Sequence, residues 1–154
     1  GGIMANLTAT RGGQEVICSS FVFNYDDQMV PISGGTAISG TTRVDFGKTN
    51  IAATSFEIIN LPVGAVIIGG ELVVETAFDT ASYAVIIGNS ADDDRYLTTA
   101  DRKGVARVAL VPTGYRSLGE GLRIGITNAD VCTTGKATVR IQYIIHNRNT
   151  VNNL

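Results

Sequence analysis

The chain contains no tryptophan, one histidine (His146) and two cysteines (Cys18 and Cys132). Each scarcity removes a class of chemistry. Two cysteines far apart, with no Cys-x-x-Cys, do not make a zinc site. Both thiols are expected to be free and buried, and a pairing stays open if the fold brings them together. His146 lies where a strand runs into a loose tail, and no Gly-x-Ser-x-Gly elbow exists to supply a nucleophile. It is therefore expected at the surface and not as the base of a Ser-His-Asp triad. Charged residues are 17% of the chain and the net charge is −2. No basic stripe is available to neutralise phosphates, which argues against a nucleic-acid partner. No long apolar run exists to span a membrane, and no signal peptide is expected.

What is present is a chain of 154 residues, 44% hydrophobic, with 18 glycines and only three prolines. That length fits one domain able to bury about 68–70% of its unfolded surface without a metal or a disulfide. A weakly charged, glycine-rich surface suits a protein packed against other proteins.

The stretch 53–76 organises the pattern. Phe56 and Ile58 alternate with Glu57, Pro62 and Gly64 mark a turn, and Leu72, Val74 and Thr76 alternate with Glu71, Val73 and Glu75. This predicts a β-hairpin, with a bulge or bend at Gly69-Gly70. Further strands are expected over 15–23, with a bulge at Ser19-Ser20, and over 41–46 as a short edge. Others are expected over 83–88, near the middle of a sandwich, and over 105–111, 122–127 and 136–145. Residues 24–40 read as loop, and 96–103 as one short helical turn. The result is an all-β chain: an antiparallel β-sandwich, jelly-roll-like, with seven to eight strands. Residues 1–14 are expected to be a flexible N-terminal arm. Within it, Gly1-Gly2-Ile3 reads as a cloning remnant and Met4 as the natural start. The sandwich is expected over 15–148 and a loose tail over 149–154.

No constellation declares a chemistry. Asp92-Asp93-Asp94 has the oxygen ligands a hard cation wants, but lacks the central glycine and terminal glutamate of an EF-hand loop. Consecutive carboxylates in a turn are expected to be solvated. Nothing singles out a carboxylate pair for glycoside hydrolysis. Gly69-Gly70 and Gly119-Glu120-Gly121 precede no helix that could cradle phosphate. No metal, cofactor or catalytic residue is therefore expected, and the protein is expected not to be an enzyme. Arg107, Arg123 and Arg140 stand on the polar phase of three strands and, sharing a sheet, could grip a partner's carboxylates. Ordinary solvation of an outer face is the alternative. With Arg11 in the arm, they are the candidate partner-binding residues.

A set of segments carries a resemblance. They are Leu61 to Gly70, Val74 to Ala81, Gly88, Asp94-Arg95-Tyr96-Leu97, Ala109 to Tyr115, and Gly135-Lys136-Ala137 on to Tyr143. In this order they resemble small virion proteins of tailed bacteriophages and prophages, over about residues 50–145; the first third of the chain matches poorly. The resemblance implies a capsid decoration, or cement, protein of jelly-roll type. Such a protein would sit on the outside of the phage head, contact the major capsid protein and self-associate as a homodimer or homotrimer. Its place would be the virion surface after synthesis in the bacterial host cytoplasm, with neither nucleic acid nor membrane as partner. Two rival readings are a carbohydrate-binding jelly-roll module and a head-completion or tail component. The first is disfavoured by the lack of tryptophan and the scatter of Tyr25, Tyr83, Tyr96, Tyr115 and Tyr143.

Overall fold

A computed structural model describes residues 15–33, 36–37 and 43–146. Among them there is no helix, and so none long and apolar enough to cross a membrane. The strands are β1 (Ile17–Asn24), β2 (Gln28–Met29), β3 (Ile32–Ser33), β4 (Thr36–Ala37), β5 (Val44–Asp45) and β6 (Thr54–Ile59). They continue with β7 (Ala65–Thr76), β8 (Tyr83–Gly88), β9 (Leu97–Asp101), β10 (Ala106–Ala109), β11 (Leu122–Asn128) and β12 (Lys136–Ile145). The expected arm, including Arg11, and the expected tail from 149 lie outside the described residues.

Two four-stranded antiparallel sheets carry the fold, in the orders β1-β12-β7-β10 and β6-β11-β8-β9. Numbered along the chain, the eight long strands run first-eighth-third-sixth in one sheet and second-seventh-fourth-fifth in the other. This is jelly-roll wiring, and the expected sandwich is the observed one. Alternation decides which side chains go inside. Tyr83, Val85 and Ile87 of β8 meet Leu122, Ile124 and Ile126 of β11 and Ala137, Val139 and Ile141 of β12 in one buried core. As expected, β8 is interior, flanked by β11 and β9.

The expected hairpin does not form. β6 pairs with β11, whereas β7 pairs with β12 and β10 in the other sheet. The turn at 61–64 carries the chain across the sandwich instead of folding it back within a sheet. Gly64, at φ 87°, donates its N–H to Ser117 O, and Ser117 donates in turn to Ala65 O. Local alternation specifies a strand and its inner face, not its neighbour, and here distant strands supply the neighbours. The bulge near Gly69 is present: Gln142 opposes Gly69 while Tyr143 opposes Ile67, which skips Ile68.

Other expectations need correction. β1 keeps unbroken register with β12, so Ser19-Ser20 is not a bulge. The helical turn over 96–103 is strand β9, its Leu97-Thr98-Thr99 suited to a pleated edge and anchored by buried Tyr96. Of the edge strand expected over 41–46, the described residues show β5, paired with β2 in the segment read as loop, while 41–42 lie outside them. Cys18 is exposed and only Cys132 is buried; both thiols are free.

One end of the sandwich is held by aromatics, by the buried polar groups of Tyr83 and Asn128, and by the exposed Asp79. Phe78 stacks on Tyr83 with ring centroids 3.9 Å apart, and Phe46 lies between Phe23 (4.8 Å) and Phe56 (4.4 Å). The Tyr83 hydroxyl donates to Phe46 O, and burial pushes its pKa up. Asn128, 2% exposed, accepts from Ile51 N–H at 2.6 Å. Its amide nitrogen serves the carbonyls of Gly47, Thr49 and Asp130 at 3.1, 2.9 and 2.8 Å. Asp79 accepts from the backbone of Thr133 and Thr134 at 2.6 and 3.0 Å and from the Thr133 hydroxyl. These bonds, that hydroxyl foremost, hold its carboxyl at a pKa of about 2.

Candidate functional site

The strands of the first sheet present every second side chain outward. On β12 and β7 that phase brings Arg140 directly opposite Glu71. On β10 it brings Ala109 opposite Glu71 from the other side, so Arg107 reaches the same carboxylate along the diagonal. Arg140 Nη1 donates to Glu71 Oε1 at 2.6 Å, and Arg107 Nε donates to Oε2. Hydrogen bonds from Arg107 and then Arg140 hold the Glu71 carboxyl below its ordinary value.

Two guanidiniums on one carboxylate leave a net positive charge. The arginine side chains are 62% and 51% exposed against 21% for Glu71. Each guanidinium has five N–H donors and spends one on Glu71, so both retain donors at the surface. Cys18 and Ser20 of β1 and Gln142 of β12 complete the walls of a shallow cavity of about 340 Å³ beside them. Along the same face Thr138 donates to Glu75 at 2.6 Å and Lys136 stands 3.5 Å from it. The arrangement can bind carboxylates through charge-assisted hydrogen bonds. It contains no nucleophile paired with a base.

Arg123 does not join this face. It stands on β11 in the second sheet, between Glu57 and Gly88 in register. It faces outward as its phase requires, yet it is only 8% exposed and its Nε has no hydrogen-bond partner among the described residues. Glu57 Oε1 instead accepts from Gly121 N–H at 2.9 Å. Burial comes from the loop after β8, which folds back across the sheet: a Cβ on Gly88 would lie 2.2 Å from Asp92 O. Only glycine permits that approach, and neither alternation nor composition announced the overlay. Of the four arginines proposed as partner contacts, then, two share a face, one lies under a loop, and Arg11 is outside the described residues.

The acidic triplet sits in that loop. Asp92, Asp93 and Asp94 are exposed, with carboxylate oxygens within 4.8 Å of one another. A hydrogen bond shared with Asp92 pushes the Asp94 carboxyl above its ordinary value. Asn89 Oδ1 shapes the turn, accepting from Ala91 and Asp92 N–H at 3.1 and 2.9 Å. His146 follows β12 and donates its backbone N–H to Gly64 O at 2.7 Å. Its imidazole has no hydrogen bond to an acid or hydroxyl among the described residues. Glu71 was not singled out in the sequence. Its signal was its place on the polar phase of β7, which acquires meaning only once both neighbours are known.

No family model matches the chain, and no curated protein matches it. Solved structures do. A chain of the cyanophage Pam1 capsid asymmetric unit superposes with a TM-score of 0.57 at 16% identity, covering 94% of both chains. A chain of the acid-stable capsid of Helicobacter pylori bacteriophage KHP30 gives 0.53 at 14%, over 86% of this chain and 93% of that one. A chain of the Ralstonia phage GP4 capsid gives 0.56 at 12%, over 85% and 84%. At such identities the likeness is one of fold. It extends over most of both partners in every case, so these neighbours are sandwiches of similar length rather than larger chains containing one.

Proposed function

We propose that this protein is a structural component of a bacteriophage virion, acting as a decoration protein on the outer surface of the head. The observation that carries the reading is the end-to-end likeness in fold to chains of three phage capsid structures. The resemblance of Leu61 to Gly70 and Ala109 to Tyr115 to small phage virion proteins supports it from the sequence side. A rigid sandwich that offers an open arginine-bearing face suits a role built on area and complementarity, not catalysis. The partner on this reading is the major capsid protein, and the face bearing Arg107 and Arg140 meets its carboxylates.

Mass action explains the benefit. A protein that binds the assembled lattice and not free shell subunits stabilises the lattice by RT ln(1 + [L]/Kd), about 2.7 kcal/mol at a hundredfold excess over Kd. The test is co-sedimentation of the purified protein with empty shells of its own phage. Saturable pelleting and a higher shell disruption temperature are expected. Protein left in the supernatant at saturating concentration overturns the decoration role. Assembly of the protein by itself into closed shells would also overturn it, in favour of a shell-forming subunit.

A further inference from the structure

The two main sheets end in four edges: β1, β10, β6 and β9. An open edge displays unpaired backbone N–H and C=O groups, and proteins blunt such edges with charge, shortness or bulges. Three of the four are blunted here. β10 has four residues and carries Arg107. β6 carries Glu57, and its pairing with β11 shifts at Leu122/Arg123. β9 has five residues, includes Asp101, and shifts against β8 between Val85 and Ile87.

β1 has none of these defences. It is eight residues long, Ile-Cys-Ser-Ser-Phe-Val-Phe-Asn, with no charge, proline or glycine. Its register with β12 is continuous along its whole length, so the strand is regular. Among the described residues, 17–23 make no backbone hydrogen bond on the side away from β12. Val22, pointing outward, is 51% exposed.

We propose that β1 pairs antiparallel with β1 of a second copy about a two-fold axis, joining the two first sheets into one continuous sheet. Charge selects this occupant. Self-pairing of any other main edge would set Arg107, Glu57 or Asp101 close to its own copy, and like charges across strands are unfavourable. β1 against β1 opposes no charges. It is also the longest match that any two main edges of this chain can make.

The pleat restricts the register. Opposed residues must share a face, so the axis passes through a residue and not between two. Centring on Ser20 sets Ile17 against Phe23 on the inner face and Cys18 against Val22 on the outer. Centring on Phe21 sets Ser20 against Val22 and Cys18 against Asn24. Either choice continues both cores across the junction and covers the exposed Val22. Such an interface is isologous and closes at two copies, so it yields a dimer and not a trimer. Shell binding plays no part in this inference, and its test uses no shells.

Light scattering on the purified full chain is expected to return twice the chain mass. Ser20→Lys and Val22→Lys place charge on outward positions of β1. Each is expected to weaken the dimer by about 100-fold or more while the circular dichroism spectrum is unchanged. Should either variant misfold, cysteine cross-linking decides. Under oxidation, Val22→Cys is expected to trap a covalent dimer through Cys18 in the Ser20-centred register. Asn24→Cys traps it through the same Cys18 in the other. A wild-type monomer, a dimer indifferent to both lysines, or failure of both cross-links overturns the proposal. So does a monomer that dimerises only once residues 1–14 are removed, since the chain's own arm would then hold the edge.

Discussion

The stapled end of the sandwich and the outer face of the first sheet are both polar networks, but they are built to opposite ends. At the stapled end, Asn128 and the Tyr83 hydroxyl are buried and bond to buried backbone groups, Ile51 N–H and Phe46 O among them. On the outer face, Glu71, Arg107 and Arg140 are in contact with solvent and satisfy one another only in part. Water is the difference. A buried polar group left without its partner costs its full desolvation, whereas an exposed ion pair exchanges one set of partners for another at little cost. The first network holds the fold; the second is free to be rearranged by a partner.

Gly135→Ala should break the stapled end most severely. A Cβ there would lie 2.1 Å from Phe78 Cδ1, on a backbone at φ 150°. Overpacking and backbone strain together predict a loss of about 4 kcal/mol, read as a collapse of the denaturant midpoint or as insoluble protein. Asn128→Ala comes next. It orphans Ile51 N–H and takes the Asn128 donor from the carbonyls of Thr49 and Asp130, while Gly47 O keeps its bond from Cys132 N–H, for an expected loss of about 3 kcal/mol in chemical denaturation.

Asp79 sharpens the comparison by pH. Its folded pKa of about 2 lies below the ordinary 3.8, so its contribution is fully present above the unfolded value. That contribution is lost as pH falls from about 4 through about 2. Asp79→Asn should therefore flatten the acid limb of a Tm-against-pH curve in that window. An unchanged acid limb would show that the bonds to Thr133 and Thr134 contribute nothing there.

The smallest effect on stability belongs to the outer face. Arg107→Ala and Arg140→Ala should each leave Tm within about 2 °C of wild type, as expected of exposed ion pairs. Their shell affinity should nonetheless fall severalfold in the co-sedimentation assay. A large drop in Tm would move these arginines from the open network to the structural one. Unchanged shell binding would remove this face from the proposed interface.

Much of the fold was legible in advance, and the reason is local. β8 occupies the almost wholly apolar run at 83–88 and β12 the alternating stretch at 136–145, because a buried strand must keep apolar side chains toward the core. The misread stretches are those whose pattern is weak or whose partner is distant. Leu97-Thr98-Thr99-Ala100-Asp101 has one strong apolar residue, and becomes a strand because β8 offers it an edge. The site was half legible. The outward phase of Arg107 and Arg140 could be read, but their meeting on Glu71 depends on β7 lying between β10 and β12.

By itself the sequence determined the all-β class, the inner faces of β7, β11 and β12, and the absence of any recognisable catalytic motif. These follow from residue type and period-two spacing, which act within a few residues. Tertiary structure alone decided that β6 and β7 part into different sheets, that Arg123 is covered, and that β1 lies at the end of its sheet. Those outcomes depend on which distant strands become neighbours, and that choice is made by burying one shared core, not by any segment of the chain.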